Sequence, residues 1–139
     1  MNLLNGLART VITMIYTSYF GKIKSLPDNF IPISICGKAP NWYNGLQYKK
    51  LAPKLYFYIK WRENHDNDYY TKCFKEQVLD RLDANTVVME LKHLCHKSVY
   101  EDINIVLLCY EKPSDFCHRH LVAEWLIDNG FECEEFKTQ

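Results

Sequence analysis

The stretch INIVLLCYEKPSDFCHRHLVAEWLIDNG, residues 103–130, decides the fold class of this 139-residue chain. Its first seven residues are almost continuously apolar, which is typical of a strand covered on both faces of a parallel sheet. A helix is predicted from Ser114, a residue suited to the N-cap, to Asn129, because Gly130 then occupies the C′ position that favours glycine. The stretch therefore predicts a buried strand, a short turn and a helix.

Three further segments predict strands. TVITMIYT (10–17) is apolar and β-branched, so this strand and the one at 103–109 should both be central in the sheet. FIPISI (30–35) contains Pro32, which cannot donate a ladder hydrogen bond, and this strand should lie toward an edge or carry a bulge. FECEEF (131–136) is polar enough to be a final edge strand.

The residues between the second and third strands predict three helices. The first should have Pro53 in its first turn and end near Arg62, the second should run from a cap at Asp68 to Leu82, and the third should start at Asn85 and end near His96. The order is then strand, strand, three helices, strand, helix, strand. This order predicts a single small three-layer α/β domain over residues 1–139, with a mainly parallel sheet of about four to five strands.

The composition narrows the classes of partner. Lysine and arginine together number 17, as do aspartate and glutamate, and no block of like charges occurs. Nucleic acid and membrane surfaces are therefore unfavoured partners. Residues 1–20 have no basic segment or cleavage site typical of a signal peptide, and no apolar run is long enough to span a bilayer. A cytoplasmic protein with reduced thiols is expected.

Polar side chains follow the predicted strands at their carboxyl ends, which meet at one edge of a parallel sheet and bind ligands there. The candidates at this edge are Thr17, Ser18, Tyr19, Ser34, Cys36, Cys109, Tyr110 and Glu111.

The predicted start of the last helix adds Cys117, His118 and Arg119 to this edge. A helix N-terminus attracts anions, and together with Arg119 it should lower the pKa of the Cys117 thiol. Each residue also has a plainer interpretation. Cys117 could be an inert half-buried thiol, His118 could be bound to a backbone carbonyl, and Glu111 could form an ion pair with Arg119.

A metal site is not predicted. Cys109, Cys117 and His118 could meet, but structural zinc has four ligands that usually come in closely spaced pairs. The remaining candidates would each arrive singly: Cys36, Cys95, His96 and Cys133. We expect the chain to fold without a metal or another cofactor.

Three segments resemble the domain of unknown function 488 family, which comprises small proteins of bacteria and their phages. They are IYTSYFGKIKSLP (15–27), PISICGKAPNWYNGLQYKKLAPK (32–54) and VLLCYEKPSDFCHRHLVAEWL (106–126), with its Cys-His-Arg motif. The resemblance implies a compact Rossmann-like domain but no particular activity. By position it marks Thr17, Ser18, Tyr19, Phe20, Ser34, Pro40, Trp42, Pro53, Cys109, Glu111, Cys117, His118 and Arg119.

The leading hypothesis is an enzyme, or a degenerate relative of one, that acts on a small anionic or nucleotide-like ligand. Cys117 or His118 would be the reactive group and Glu111 a general base. The residues expected to contact the ligand are Arg119, Thr17, Ser18, Tyr19, Ser34, Trp42 and Cys109. The alternative is a bacterial or phage binding module without catalysis, which sequesters a nucleotide signal or blocks a host protein.

Overall fold

The computed structural model describes residues 11–96 and 98–138, and these form a five-stranded parallel sheet with four α-helices. The sheet order is β3-β2-β4-β1-β5, and every pair of neighbouring strands is parallel. This confirms the predicted α/β class and the Rossmann-like architecture. The strands are β1 (Val11–Tyr19), β2 (Phe30–Ser34), β3 (Leu46–Gln47), β4 (Asp102–Cys109) and β5 (Cys133–Glu135).

The two apolar segments form the centre of the sheet, as predicted. β4 lies between β2 and β1, and all of its residues from Ile103 to Cys109 are buried. β1 lies between β4 and β5, and its predicted first residue, Thr10, lies outside the described residues. β5 is the edge strand expected from its polar sequence.

β2 was predicted to lie toward an edge or to carry a bulge, and it is the second strand from the edge of the sheet. β2 is an interior strand, because the two-residue β3 continues the sheet beyond it. β3 pairs only with Ile33 and Ser34, so no strand flanks Pro32 on that side. Pro32 pairs with Val106 of β4 on the other side. The missing N–H is tolerated because the sheet is locally open next to the proline.

Four helices follow the predicted order. They are α1 (Leu55–Asn64), α2 (Asn67–Gln77), α3 (Ala84–Leu94) and α4 (His118–Asp128). The caps of α2 and α3 are Asp66 and Asp83, each two residues before the predicted start, and each carboxylate accepts a backbone N–H of the first turn. None of the helices in the described part of the chain is both long and apolar enough to cross a membrane.

The N-cap of α4 is Cys117, three residues later than Ser114, the predicted cap. The Asp115 N–H donates to the carbonyl of Lys112, which closes a turn at 112–115. The Phe116 ring then packs among aromatic side chains of α1 and α2, and Cys117 becomes the N-cap in an extended conformation. Tertiary packing of Phe116 therefore overrides the local cap signal at Ser114.

The predicted end of α4 at glycine is confirmed. Gly130 has a φ of +90° and no atoms close to where a Cβ would lie. Its N–H donates to the carbonyl of Ile127, and the N–H of Phe131 donates to the carbonyl of Leu126. These two bonds form a Schellman motif, which requires the left-handed backbone that glycine adopts without strain.

Both faces of the sheet are buried, which gives three layers. Ile105 and Leu107 belong to the core shared with the four helices. Val106 and Leu108 alternate with them and belong to a second apolar cluster, which the segments 20–26 and 39–43 cover. Because strand side chains alternate between faces, the continuous apolar run in β4 contributes apolar side chains to both clusters.

Candidate functional site

A cavity of about 780 Å³ lies at the carboxyl end of β4, beside the segment that follows β2. Three buried residues at its base are Cys109, Cys117 and His118, which we call the thiol–imidazole cluster. Aromatic side chains line much of the wall: Tyr58, Trp61, Tyr70, Tyr110 and Phe116. Lys38, Arg62 and Glu111 are the charged residues of the lining. The cavity therefore combines reactive groups, flat apolar surfaces and charge.

The thiol–imidazole cluster forms where the end of β4 meets the start of α4. The Sγ atoms of Cys109 and Cys117 are in direct contact, and the two Cα atoms lie 7.3 Å apart. The Sγ atom of Cys117 lies 3.9 Å from Nδ1 of His118. The sequence analysis allowed that Cys109, Cys117 and His118 could meet, and the structure brings them together. Reduced thiols, expected from a cytoplasmic location, stay a prediction.

His118 is held in one orientation by a backbone carbonyl. Its Nε2 lies 2.8 Å from the carbonyl oxygen of Ile35. Because a carbonyl only accepts, we assign the ring proton to Nε2, which leaves the lone pair of Nδ1 directed toward Cys117. The pKa of His118 is lowered to about 4, mainly because the ring is buried. The hydrogen bond to the Ile35 carbonyl raises the pKa, and the neighbouring Arg119 cation lowers it further. The imidazole is therefore neutral at pH 7.

Arg119 is completely buried and is not among the residues that line the cavity. Its Nε and Nη2 donate to the two carboxylate oxygens of Glu135, each at 3.0 Å. Its Nη1 donates to Sγ of Cys109 at 3.1 Å and to the backbone carbonyl of Glu111 at 2.6 Å. Four of its five N–H groups are thus occupied. Direct contact of Arg119 with a ligand stays a prediction. Its hydrogen bonds hold Cys109 and the backbone of Glu111 in place at the cavity.

Five other predicted site residues, Thr17, Ser18, Tyr19, Ser34 and Trp42, do not line this cavity. The Thr17 hydroxyl donates to the Glu135 carboxylate at 2.7 Å, and the Tyr19 ring lies 5.9 Å from the Arg119 guanidinium. Thr17 and Tyr19 therefore contact the Arg119–Glu135 ion pair and not the cavity.

The remaining three differ in their surroundings. Ser34 accepts a hydrogen bond from the N–H of Cys36, and Ser18 is buried. Trp42 is 64% exposed and packs edge-on against Phe20. For all five, direct contact with a ligand stays a prediction. Of the predicted residues, the structure brings Cys109, Glu111, Cys117 and His118 together at the cavity.

The contribution of α1 to the cavity was not predicted from the sequence. Tyr58, Trp61 and Arg62 are spaced i, i+3 and i+4, which places them on one face of the helix, and all three line the cavity. The indole N–H of Trp61 donates to the side chain of Asn67 at 2.7 Å, which fixes the ring. The spacing was visible in the sequence, but only the tertiary structure shows that this face is turned toward the end of β4.

Three other cysteines are poorly suited to react. Burial raises the pKa of Cys36 to about 12, with a further contribution from the Glu111 carboxylate. Burial also raises the pKa of Cys95 to about 11 and is the main cause that raises the pKa of Cys133 to about 12. These thiols stay protonated at neutral pH, and a protonated thiol is a weak nucleophile.

We therefore expect Cys117 to react with iodoacetamide faster than Cys36, Cys95 and Cys133 in reduced, chelator-treated protein, by about tenfold or more. Cys117 lines the cavity at the N-terminus of α4, where partial positive charge stabilises a thiolate. Brief alkylation at pH 7 followed by peptide mapping measures this, with the half-buried Cys73 as an internal reference. Preferential labelling of Cys36 or Cys133 would contradict it.

Comparison with known proteins identifies the family. No curated protein and no solved structure matches this chain. A family model described as the active DUF488-N3 subclade matches residues 22–130, which include β2, β3, β4, all four helices and the thiol–imidazole cluster. The match covers most of the chain and includes the Cys-His-Arg motif, and the protein therefore belongs to the DUF488 family.

Proposed function

We propose that this protein is an enzyme that acts on a small anionic, nucleotide-like ligand bound in the cavity. The observation that carries the proposal is that a reactive thiol–imidazole cluster and an aromatic wall share one cavity of about 780 Å³. This volume lies in the range of small-molecule sites. The description of the matching family model as an active subclade also favours catalysis over a binding role alone.

The cavity wall favours a ligand with a flat ring. Trp61 lies with its ring centroid 5.7 Å from that of Phe116, and Tyr70 lies 5.2 Å from the same ring. Aromatic side chains held in this way offer a rigid surface on which a base can stack, at about 1–3 kcal/mol per base. A nucleobase fits this surface better than a flexible aliphatic chain does.

Exposed cations at the same cavity favour an anionic group on the ligand. Lys38 and Arg62 are both exposed and both line the cavity. A guanidinium and an ammonium are the side chains that bind phosphate or carboxylate best. Because the chain as a whole carries no net charge, attraction of an anion depends on these local cations.

The catalytic roles follow from position in the cavity. Cys117 and His118 lie at its base, and the neutral imidazole presents its Nδ1 lone pair there. Glu111 lines the same cavity and is proposed as the general base or as a ligand to a hydroxyl group. Arg119 holds Cys109 and the backbone of Glu111, and so acts on the reaction through these residues.

The first experiment is native mass spectrometry of freshly purified protein, in which we expect a retained small molecule. Calorimetric titration with adenosine 5′-monophosphate then tests the ligand class, with adenosine and inorganic phosphate as separate probes of the ring and the anion. Trp61→Ala should weaken binding of the monophosphate by about 5- to 100-fold, since it removes a stacking surface. Trp42→Ala is the matched control and should leave binding unchanged, because Trp42 does not line the cavity.

The outcomes separate the two functional classes. Binding that Trp61→Ala weakens, followed by conversion of the retained molecule, supports the enzyme. Binding without conversion supports the module that sequesters a nucleotide signal in the cytoplasm of a bacterium or infected host. If no small molecule is retained and none of the three probes binds, the proposal is wrong, and a host-protein partner becomes the better candidate.

A further inference from the structure

We propose that Cys109, Cys117 and His118 bind a soft divalent cation such as Zn²⁺, with one coordination position open to the cavity. This departs from the expectation drawn from the sequence, which required four protein ligands. It deepens the proposed function, because it assigns a Lewis acid to the same reaction centre. In the described part of the chain, the Sγ atoms of Cys109 and Cys117 and a ring nitrogen of His118 converge, all within 4.8 Å of one another.

The donor set suits zinc. Two thiolates and a neutral imidazole are the ligands of catalytic Cys₂His zinc sites, with Zn–S distances of about 2.3 Å and Zn–N distances of about 2.0 Å. The hydrogen bond from Nε2 of His118 to the Ile35 carbonyl leaves Nδ1 as the free donor atom on the cluster side. A carbonyl that holds the second ring nitrogen in this way is the usual support of a metal-binding histidine.

The backbone spacing suits a bridging ion. The Cα atoms of Cys109 and Cys117 are 7.3 Å apart, beyond the 4.4–6.8 Å that disulfides usually span. Two thiolates on one tetrahedral zinc ion have Sγ atoms about 3.8 Å apart. In the reduced protein, rotation of the two side chains can open this separation while the backbone stays in place.

The charges around the cluster also favour a cation. Two thiolates and a divalent ion are neutral together, whereas two buried thiolates alone carry two uncompensated charges. Arg119 donates to Sγ of Cys109, but its own charge is matched by the bidentate Glu135 carboxylate. The guanidinium therefore orients one thiolate and does not neutralise the pair.

The fourth position faces the cavity because all three donors line it. A zinc ion with three protein ligands keeps a site for water or a ligand atom, which distinguishes catalytic zinc from structural zinc. The ion would then lie at the base of the cavity, below the aromatic wall. An ion in this position would polarise an oxygen atom of the ligand bound in the cavity.

Cobalt provides the direct test, because Co²⁺ bound to thiolates gives strong charge-transfer absorption in the near ultraviolet. The full chain is reduced with a phosphine, treated with a chelator, desalted without oxygen and titrated with Co²⁺ and then Zn²⁺. We expect one equivalent of Co²⁺ per chain, with thiolate charge-transfer bands that Zn²⁺ removes. Bound Zn²⁺ should also protect Cys109 and Cys117, and not Cys73, from iodoacetamide.

Variants show which residues bind the ion. Cys117→Ser and His118→Asn should each weaken Co²⁺ binding by at least about 100-fold, since loss of a direct ligand exceeds the 10- to 100-fold cost of losing a supporting residue. Cys73→Ser is the matched control, because Cys73 lies outside the cavity, and it should bind Co²⁺ as the parent does. If either cluster variant does not fold, the alkylation protection in the parent protein still decides the question.

Two results would overturn the proposal: a folded, reduced protein that takes up no Co²⁺ or Zn²⁺, or equal Co²⁺ spectra for the parent and Cys117→Ser. Formation of a Cys109–Cys117 disulfide in air without metal uptake would also overturn the proposal and identify the dithiol and disulfide as the working states. The titration contains no organic ligand, so that its failure is distinct from failure of monophosphate binding.

Discussion

Glu135→Gln should destabilise the protein by about 3–5 kcal/mol, because it leaves the Arg119 guanidinium buried without a counter-charge. Arg119 has no exposed surface, and the Glu135 side chain is 18% exposed. The carboxylate accepts two bonds from Arg119 and a third from the Thr17 hydroxyl. Glutamine keeps the shape and one acceptor but removes the charge. Urea unfolding at pH 7 measures the change in the free energy of unfolding.

The neighbouring strand residue gives the control. Glu134 is exposed, and Glu134→Gln should change stability by less than about 0.5 kcal/mol. The double variant Arg119→Met with Glu135→Leu should recover much of the loss, because a buried ion pair can be replaced by apolar residues of similar size. A Glu135→Gln protein as stable as Glu134→Gln would show that the pair is not needed for folding.

Glu135→Gln should also affect the cavity, through Arg119. Arg119 also donates to Cys109 and to the Glu111 carbonyl, both part of the cavity lining. The salt bridge between α4 and β5 therefore fixes the guanidinium that holds the base of the cavity. For this reason we expect Glu135→Gln to weaken ligand binding and Co²⁺ uptake in the fraction that remains folded, although Glu135 itself does not line the cavity.

Phe116→Ala should lower the free energy of unfolding by about 2–3 kcal/mol and weaken binding in the cavity. The ring is half-buried between Trp61 and Tyr70, so the cost should fall below the 3–5 kcal/mol typical of a fully buried phenylalanine. Its loss removes part of the aromatic wall and the contact that keeps residues 116–117 out of α4. Urea unfolding and monophosphate titration measure the two effects.

Phe136→Ala is the matched control for Phe116→Ala. Phe136 is also half-buried and packs against the aromatic rings of Tyr16 and Phe30, away from the cavity lining. It should lower stability to a similar degree and leave ligand affinity unchanged. Equal affinity for the two variants would mean that Phe116 does not form part of the binding surface.

Much of the fold could be predicted because its signals are local. Continuous apolar runs in β1 and β4 predict strands with both faces covered, and both strands are central. Gly130 predicts the end of α4 because the Schellman motif depends on one residue with a positive φ. β3 was missed, since two residues carry no periodic pattern. β2 was predicted toward an edge, and it lies next to β3, the edge strand.

The candidate site could be predicted only in part. The sequence placed Cys109, Glu111, Cys117 and His118 at the end of β4, since the turn that carries them follows a strand that was itself predictable. The wall from α1 and α2 was missed, because helix periodicity shows which residues share a face and not what that face contacts. For the same reason, the ion pair of Arg119 with Glu135 on β5 was not predicted.

By itself, the sequence determined the class of fold, the order of the elements and the edge of the sheet where reactive groups collect. These follow from strand periodicity, glycine and proline conformation, and the rule that parallel strands end together. Only the tertiary structure decided that α4 begins at His118, that Arg119 faces inward to Glu135, and that the sulfur atoms of Cys109 and Cys117 meet. Each of these depends on contacts between segments distant in the chain or across a turn, where packing of Phe116 and pairing of a buried charge outweigh local preference.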